Sequence, residues 1–208
     1  MLFGNFAGAS MSARGTVFAT TTGNTDSLGN VLGAGAGNAS LFRWSPSSGV
    51  TTIALTGDTA PSTGGGQFAS FSASGRAING NDQVAFLANL VTTAGNPGGV
   101  TTSNDLVLYA TDVDGNLILI AREGFALPGD PVAGRTVTSI IFAASSNNLP
   151  TNGQDGRGTF FNDAGQLVFN VGFSDGNSGV FIANVAPVPG AAGLMGLGAA
   201  AAMRRRRR

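Results

Sequence analysis

Asp112-Val113-Asp114-Gly115-Asn116 sets side-chain oxygens at alternating positions, the way a calcium-binding loop begins. Leu117 stands where such a loop needs glycine and no acid occupies the closing position, so the segment reads as a tight hairpin turn. Asn162-Asp163 and Asp175-Gly176-Asn177 read as turns of the same kind. Glycoside hydrolysis needs two carboxyl groups flanking one bond. Glu123 is the only glutamate, and its place between Arg122 and Gly124 reads as an exposed charge at a strand end, while the aspartates sit mostly in turn contexts. Gly33-Ala34-Gly35-Ala36-Gly37 has the glycine density of a dinucleotide loop without the strand and helix that would flank one, and reads as a plain loop. Trp44 and Tyr109 have ring faces able to stack on sugar, but their repeat positions favour packing or a strand edge.

Composition excludes whole chemistries. The chain has no Cys and no His, and all 11 basic residues are Arg. Disulfides, thiolate and imidazole metal ligands, Ser-His-Asp catalysis, Schiff bases and lysine-dependent phosphate loops all fall away. The sequence therefore leads us to expect no catalytic, metal-binding or cofactor-binding residue and no cofactor. Arg204, Arg205, Arg206, Arg207 and Arg208 end the chain, so residues 1–203 carry six Arg against 11 acids, 6 − 11 = −5. An acidic body without Lys is a poor partner for a phosphate backbone, and nucleic acid is not expected as a partner.

The elements that would position these residues are strands. Val84-Ala85-Phe86-Leu87, Leu106-Val107-Leu108-Tyr109, Leu117-Ile118-Leu119-Ile120 and Leu167-Val168-Phe169 are short, branched or aromatic runs bounded by Gly, Asn, Asp or Pro. Asp114-Gly115 and Asp175-Gly176 between such runs have hairpin chemistry. Strands are predicted at roughly 15–20, 41–44, 50–55 and 67–72, then 83–90, 105–111, 117–122 and 136–142, then 166–173 and 179–184. Nothing between residues 15 and 185 shows a helical apolar stripe.

The chain also repeats. Shifting residues 41–61 by 67 positions lays them without gaps on 108–128. Leu41/Leu108, Ile53/Ile120, Ala54/Ala121, Gly57/Gly124 and Pro61/Pro128 are identical, and Phe42/Tyr109 and Val50/Leu117 stay apolar. Residues 79–86 and 162–169 match at Asn79/Asn162, Gln83/Gln166 and Phe86/Phe169, 83 apart, and the extra 16 residues fit the polar stretch 145–157. Residues 12–19 form a worn third copy with Gly15 at the turn. Four strands per unit, repeated about two and a half times, point to part of a β-propeller-like array. The alternative is a two-sheet β-sandwich of about ten strands.

Asn162-x-x-Gly165-x-x-x-Phe169, with the imperfect copy Asn79-x-x-Asp82-x-x-x-Phe86, resembles the NxxGxxxF tandem-repeat proteins of bacteria, which carry a choice of C-terminal anchors. The resemblance covers about residues 40–185 and implies a surface repeat protein. The C-terminus is similar to a PEP-CTERM sorting tail. Pro187-Val188-Pro189 precedes an Ala, Gly and Leu segment and then the arginine cluster, an order that implies recognition by an exosortase-type membrane peptidase. Val188 stands where the commonest motif has Glu, nearer the VPLPA-like variants. Residues 190–203 would give about 21 Å of helix at about 1.5 Å per residue, a short span for a core of about 30 Å. The arginines behind it would act as a cytoplasmic stop and snorkel to the interface.

The sequence thus predicts an all-β repeat domain over 1–185 and a sorting tail with a short transmembrane helix over 186–208. The expected function is that of an exported, cell-surface-sorted structural or interaction module of the bacterial envelope or extracellular matrix, without enzymatic activity. It would be anchored transiently in the inner membrane, with extracellular polysaccharide as a further partner. The alternatives are a carbohydrate- or calcium-dependent binding module and, below that, an Asp-dependent hydrolase. Residues 1–12 lack the basic start and apolar run of an export signal, so an in-frame signal peptide and further repeats are predicted upstream of Met1.

Overall fold

The computed structural model describes residues 5–23, 39–142 and 160–185, all built from strands, turns and one 3-10 turn at Pro97–Gly99. The strands are β1 (Asn5–Met11), β2 (Val17–Thr22), β3 (Ser40–Ser45), β4 (Gly49–Leu55), β5 (Phe68–Ile78), β6 (Val84–Leu90), β7 (Leu106–Thr111), β8 (Leu117–Arg122), β9 (Val137–Ile141), β10 (Gln166–Phe173) and β11 (Ser178–Asn184). They form three antiparallel sheets in which chain neighbours are sheet neighbours: β1-β2-β3-β4, β5-β6-β7-β8 and β9-β10-β11.

The middle sheet is buried on both faces, which explains why β6 reads VAFLANL, apolar at nearly every position rather than alternating. Ile78, Val84, Phe86, Val107 and Tyr109 point one way and pack with Phe18, Leu41 and Ala54 of the first sheet. Ala77, Ala85, Leu87, Leu108 and Ala110 point the other way and pack with Leu167, Phe169, Val171 and Phe173 of the third. Two apolar layers therefore separate three stacked sheets. The two-sheet sandwich alternative is not what forms, and among the described residues the sheets close no ring or barrel.

The link from one sheet to the next repeats in detail. Gly57 donates its N–H to Phe68 O (2.8 Å) and Phe68 donates back to Asp58 O (3.0 Å). In the next unit Gly124 donates to Val137 O (2.8 Å) and Val137 to Phe125 O (2.8 Å). Both glycines have positive φ, +90° and +78°, and a Cβ at Gly124 would stand 2.8 Å from Asn104 Cβ. The identity of Gly57 and Gly124 in the repeat has this cause.

The structure corrects the strand grouping. The strand expected to close the first unit, at 67–72, opens the second sheet, because β5 runs on to Ile78 and pairs with β6 through the turn at 79–83. β1, ahead of the first expected strand, belongs to the first sheet. In the third sheet β9 and Phe161 together take the place of β5. Phe71 opposite Ala88 corresponds to Ile140 opposite Val171, an offset of 69, and Ile78 opposite Val84 corresponds to Phe161 opposite Leu167, an offset of 83. The insertion thus falls where β5 has its bulge, between Phe71 and Arg76. The stretch 145–157, the loop at 33–37 and the whole tail 186–208, with its expected transmembrane helix, lie outside the described residues. No helix among the described residues is long and apolar enough to cross a membrane.

Candidate functional site

One turn is built three times, twice from a motif asparagine and once from a serine. Asn162 accepts N–H bonds from Ala164 (3.1 Å) and Gln166 (2.9 Å) on Oδ1 and donates through Nδ2 to Gln166 Oε1 (2.9 Å). Asn79 does the same with Asn81 (3.0 Å), Gln83 N (3.0 Å) and Gln83 Oε1 (2.9 Å). Ser12 accepts from Arg14 N (3.2 Å) and Thr16 N (3.3 Å), so residues 12–16 are the third copy in geometry. An asparagine or serine at the first position thus holds the turn from inside. The fourth position has positive φ in every copy: Gly15 at +77°, Asp82 at +62° and Gly165 at +74°. Aspartate is among the few non-glycine residues that reach this region readily, which is why Asp82 substitutes for the motif glycine.

These turns lie side by side at one end of the stack. Asn79 Nδ2 donates to Asn162 O (3.0 Å), Asn81 Nδ2 to Asp163 O (2.7 Å) and Gly80 N to Asp163 Oδ1 (2.6 Å). Toward the first sheet, Ser12 Oγ donates to Asp82 Oδ1 (2.6 Å), Arg14 to Asn81 Oδ1 (3.2 Å) and Arg43 to Asp82 O (3.1 Å). The structure therefore brings Asn79, Asn162 and Gly165 into one polar ladder. Phe86 and Phe169 stand apart from it and from each other. Phe86 packs toward the first sheet and Phe169 toward the second, each opposite an aromatic on the neighbouring strand, Tyr109 at 5.8 Å and Phe181 at 6.2 Å between ring centroids. Pro187, Val188, Pro189 and the five terminal arginines lie outside the described residues.

The Asp112 segment is a hairpin turn between β7 and β8. Asp112 Oδ1 accepts from Asp114 N and Asn116 N, and Oδ2 accepts from Asn116 Nδ2. Those bonds, the Asn116 side chain first, hold its carboxyl below the ordinary range. Tyr109 is fully buried and donates to Pro61 O, so it is a packing residue. Burial, only partly offset by Arg122, raises its hydroxyl well above the usual value. Trp44 remains 41% exposed, between Val17 and Val50 on the first sheet. Glu123 is half-buried rather than exposed, and its N–H joins Leu106 O at the end of the second sheet. Burial first, and then the charge of Asp105, raises its carboxyl pKa.

The buried arginines were missed by sequence reasoning. Arg122 donates to Asn104 O (2.9 Å), Thr63 O (3.0 Å) and Asn104 Oδ1 (3.3 Å) with its guanidinium 4.5 Å from the Phe125 ring. Burial lowers its pKa. Arg76 is also buried and reaches Thr20 Oγ1 across the sheet interface (2.8 Å). The available signal was positional: Arg122 falls 67 residues after the apolar Leu55. Arg135 makes a two-pronged pair with Asp130 (2.6 and 2.7 Å) and lies 3.7 Å from the Phe173 ring centroid. Among the described residues no three acidic side chains gather as a metal site.

A sequence pattern for a protein family matches residues 2–195, nearly the whole chain. The chain belongs to the family of unknown function DUF7453. No curated protein and no solved structure matches it. In this DUF7453 chain the recurrent pairs Asn79/Gln83 and Asn162/Gln166 each close their own turn, and Asn79 joins its turn to the next through Asn162 O.

Proposed function

We propose that this DUF7453 chain is a non-enzymatic structural or interaction module, sorted to the bacterial surface by its C-terminal tail. The observation that carries the structural part is the turn ladder, in which the motif residues hold sheet to sheet across 83 positions of sequence. In this reading the three sheets are successive blades of a propeller-like array, a proposal supported by the repeated Gly57 and Gly124 links and the two-sided burial of the second sheet. The sorting part rests on the order of Pro187-Val188-Pro189, apolar segment and arginines. Recognition would fall to an exosortase-type peptidase while the segment sits in the inner membrane.

The test is to export the full chain behind an added signal peptide in a host carrying such a peptidase, with Arg204 to Arg208 replaced by Ser. Loss of membrane retention and of processing supports the proposal, and unchanged fractionation counts against it. A carbohydrate-binding reading has one observation of its own, the exposed ring of Trp44. Saturable binding on a glycan array that Trp44→Ala removes would favour it.

A further inference from the structure

Among the described residues the first two sheets have four strands and the third has three. β3 is followed by β4 and β7 by β8, whereas β11 ends its sheet, and among the described residues nothing pairs with its outer edge. The repeat aligns β11 with β7. Phe169 opposite Phe181 corresponds to Phe86 opposite Tyr109, so Val180 matches Leu108 and Ile182 matches Ala110. Leu108 and Ala110 are 0% exposed because the third sheet covers them, while Val180 and Ile182, on the face of the third sheet turned away from the second, are 69% and 62% exposed. It is therefore Phe181 and Ala183 that face the core beside the edge.

A groove of about 290 Å³ lies beside this edge, with Leu119, Ile120 and Leu127 on one wall and Phe181, Ile182 and Ala183 on the other. The preceding unit shows what belongs there. Ile53 on β4 packs against the same core as Leu117 and Leu119 of β8, the fourth strand of the next sheet. Ile120, the repeat mate of Ile53, lines the groove where no described residue of the third sheet forms such a strand.

We propose that the outer edge of β11 is a strand-acceptor site for an extended peptide of fourth-strand type, with apolar side chains at alternate positions. The peptide runs antiparallel to β11, takes the backbone N–H and C=O groups that no described strand pairs with, and sets its inward side chains into the groove. The β7–β8 register transfers directly: the residue equivalent to Leu119 stands opposite Phe181, that of Leu117 opposite Ala183 and that of Ile118 opposite Ile182. The site rests on sheet geometry and not on the sorting tail, so either proposal can fail alone.

The experiment uses the full 208-residue chain and a synthetic peptide with the sequence of residues 116–123, against a scrambled peptide of the same composition. Hydrogen exchange should slow at the β11 amides with the first peptide only, and labelled-peptide anisotropy should saturate. Ala183→Glu places a charge in the groove and should weaken binding by about tenfold or more. Val113→Glu, on the exposed β7–β8 turn, should bind as the unaltered chain does. Unslowed β11 exchange in excess peptide, equal binding of the scrambled peptide, or full binding by a folded Ala183→Glu chain would each overturn the proposal.

Discussion

Gly80 in the second turn donates its N–H to an Asp163 carboxylate oxygen in the third, 2.6 Å away, and a Cβ at residue 80 would stand 2.7 Å from both oxygens. The contact leaves no room for a side chain, so this glycine answers to a neighbouring sheet rather than to its own φ. Gly80→Ala must push Asp163 aside and lose the bond, a cost of about 1 kcal/mol. In an Asp163→Ala background the same change should cost much less. A double-mutant cycle on chemical denaturation measures the difference, and additive effects would deny the contact.

The motif glycine obeys the other rule. Gly165 is buried at φ +74° and its carbonyl accepts the Val185 N–H (2.8 Å). Gly165→Val should destabilise the fold by about 1–3 kcal/mol, since a β-branched residue fits that conformation poorly.

Tyr109 is the only tyrosine, so its titration can be read without assignment. Burial holds its hydroxyl protonated well above the ordinary value of 10.0. Ionised tyrosine is favoured in the unfolded chain, so stability should fall as pH rises above that value. Tyrosinate absorbance should appear together with loss of β-sheet circular dichroism. Smooth ionisation near pH 10 in a chain that keeps its sheets would contradict the burial.

Glu123 has the same sign nearer neutrality. Its raised carboxyl pKa means that the charged form opposes folding above the folded value, and that the penalty vanishes below the ordinary 4.5. Glu123→Gln should therefore raise the melting temperature at pH 7, with the gain closing as pH falls below 4.5. A gain that persists in acid would place its cause elsewhere.

Most strands were legible because β-branched and aromatic runs are bounded by Gly, Asn and Asp. β1 was not, since Asn5–Met11 reads NFAGASM and holds no β-branched residue. The grouping of strands was misjudged because β5 carries Ser72, Gly75 and Arg76 in its second half, where polarity and a bulge hide a strand that continues to Ile78. The turn motif was visible as Asn79 and Asn162, whereas its partners across sheets were not. Gly80 and Asp163 are unremarkable in sequence and meet only because the turns stack. Arg76 and Arg122 carry no sign of burial in the sequence, because the carbonyl and hydroxyl acceptors that hold them are brought to them only by folding.

The most direct test of the proposed sorting is the intact mass of the mature protein from a host expressing an exosortase-type peptidase, set beside that from the same host without it. A chain shortened at or near Pro187-Val188-Pro189, lacking the arginine cluster, and only when the peptidase is present, is the predicted result. A chain that keeps Arg208 in both hosts would contradict the account.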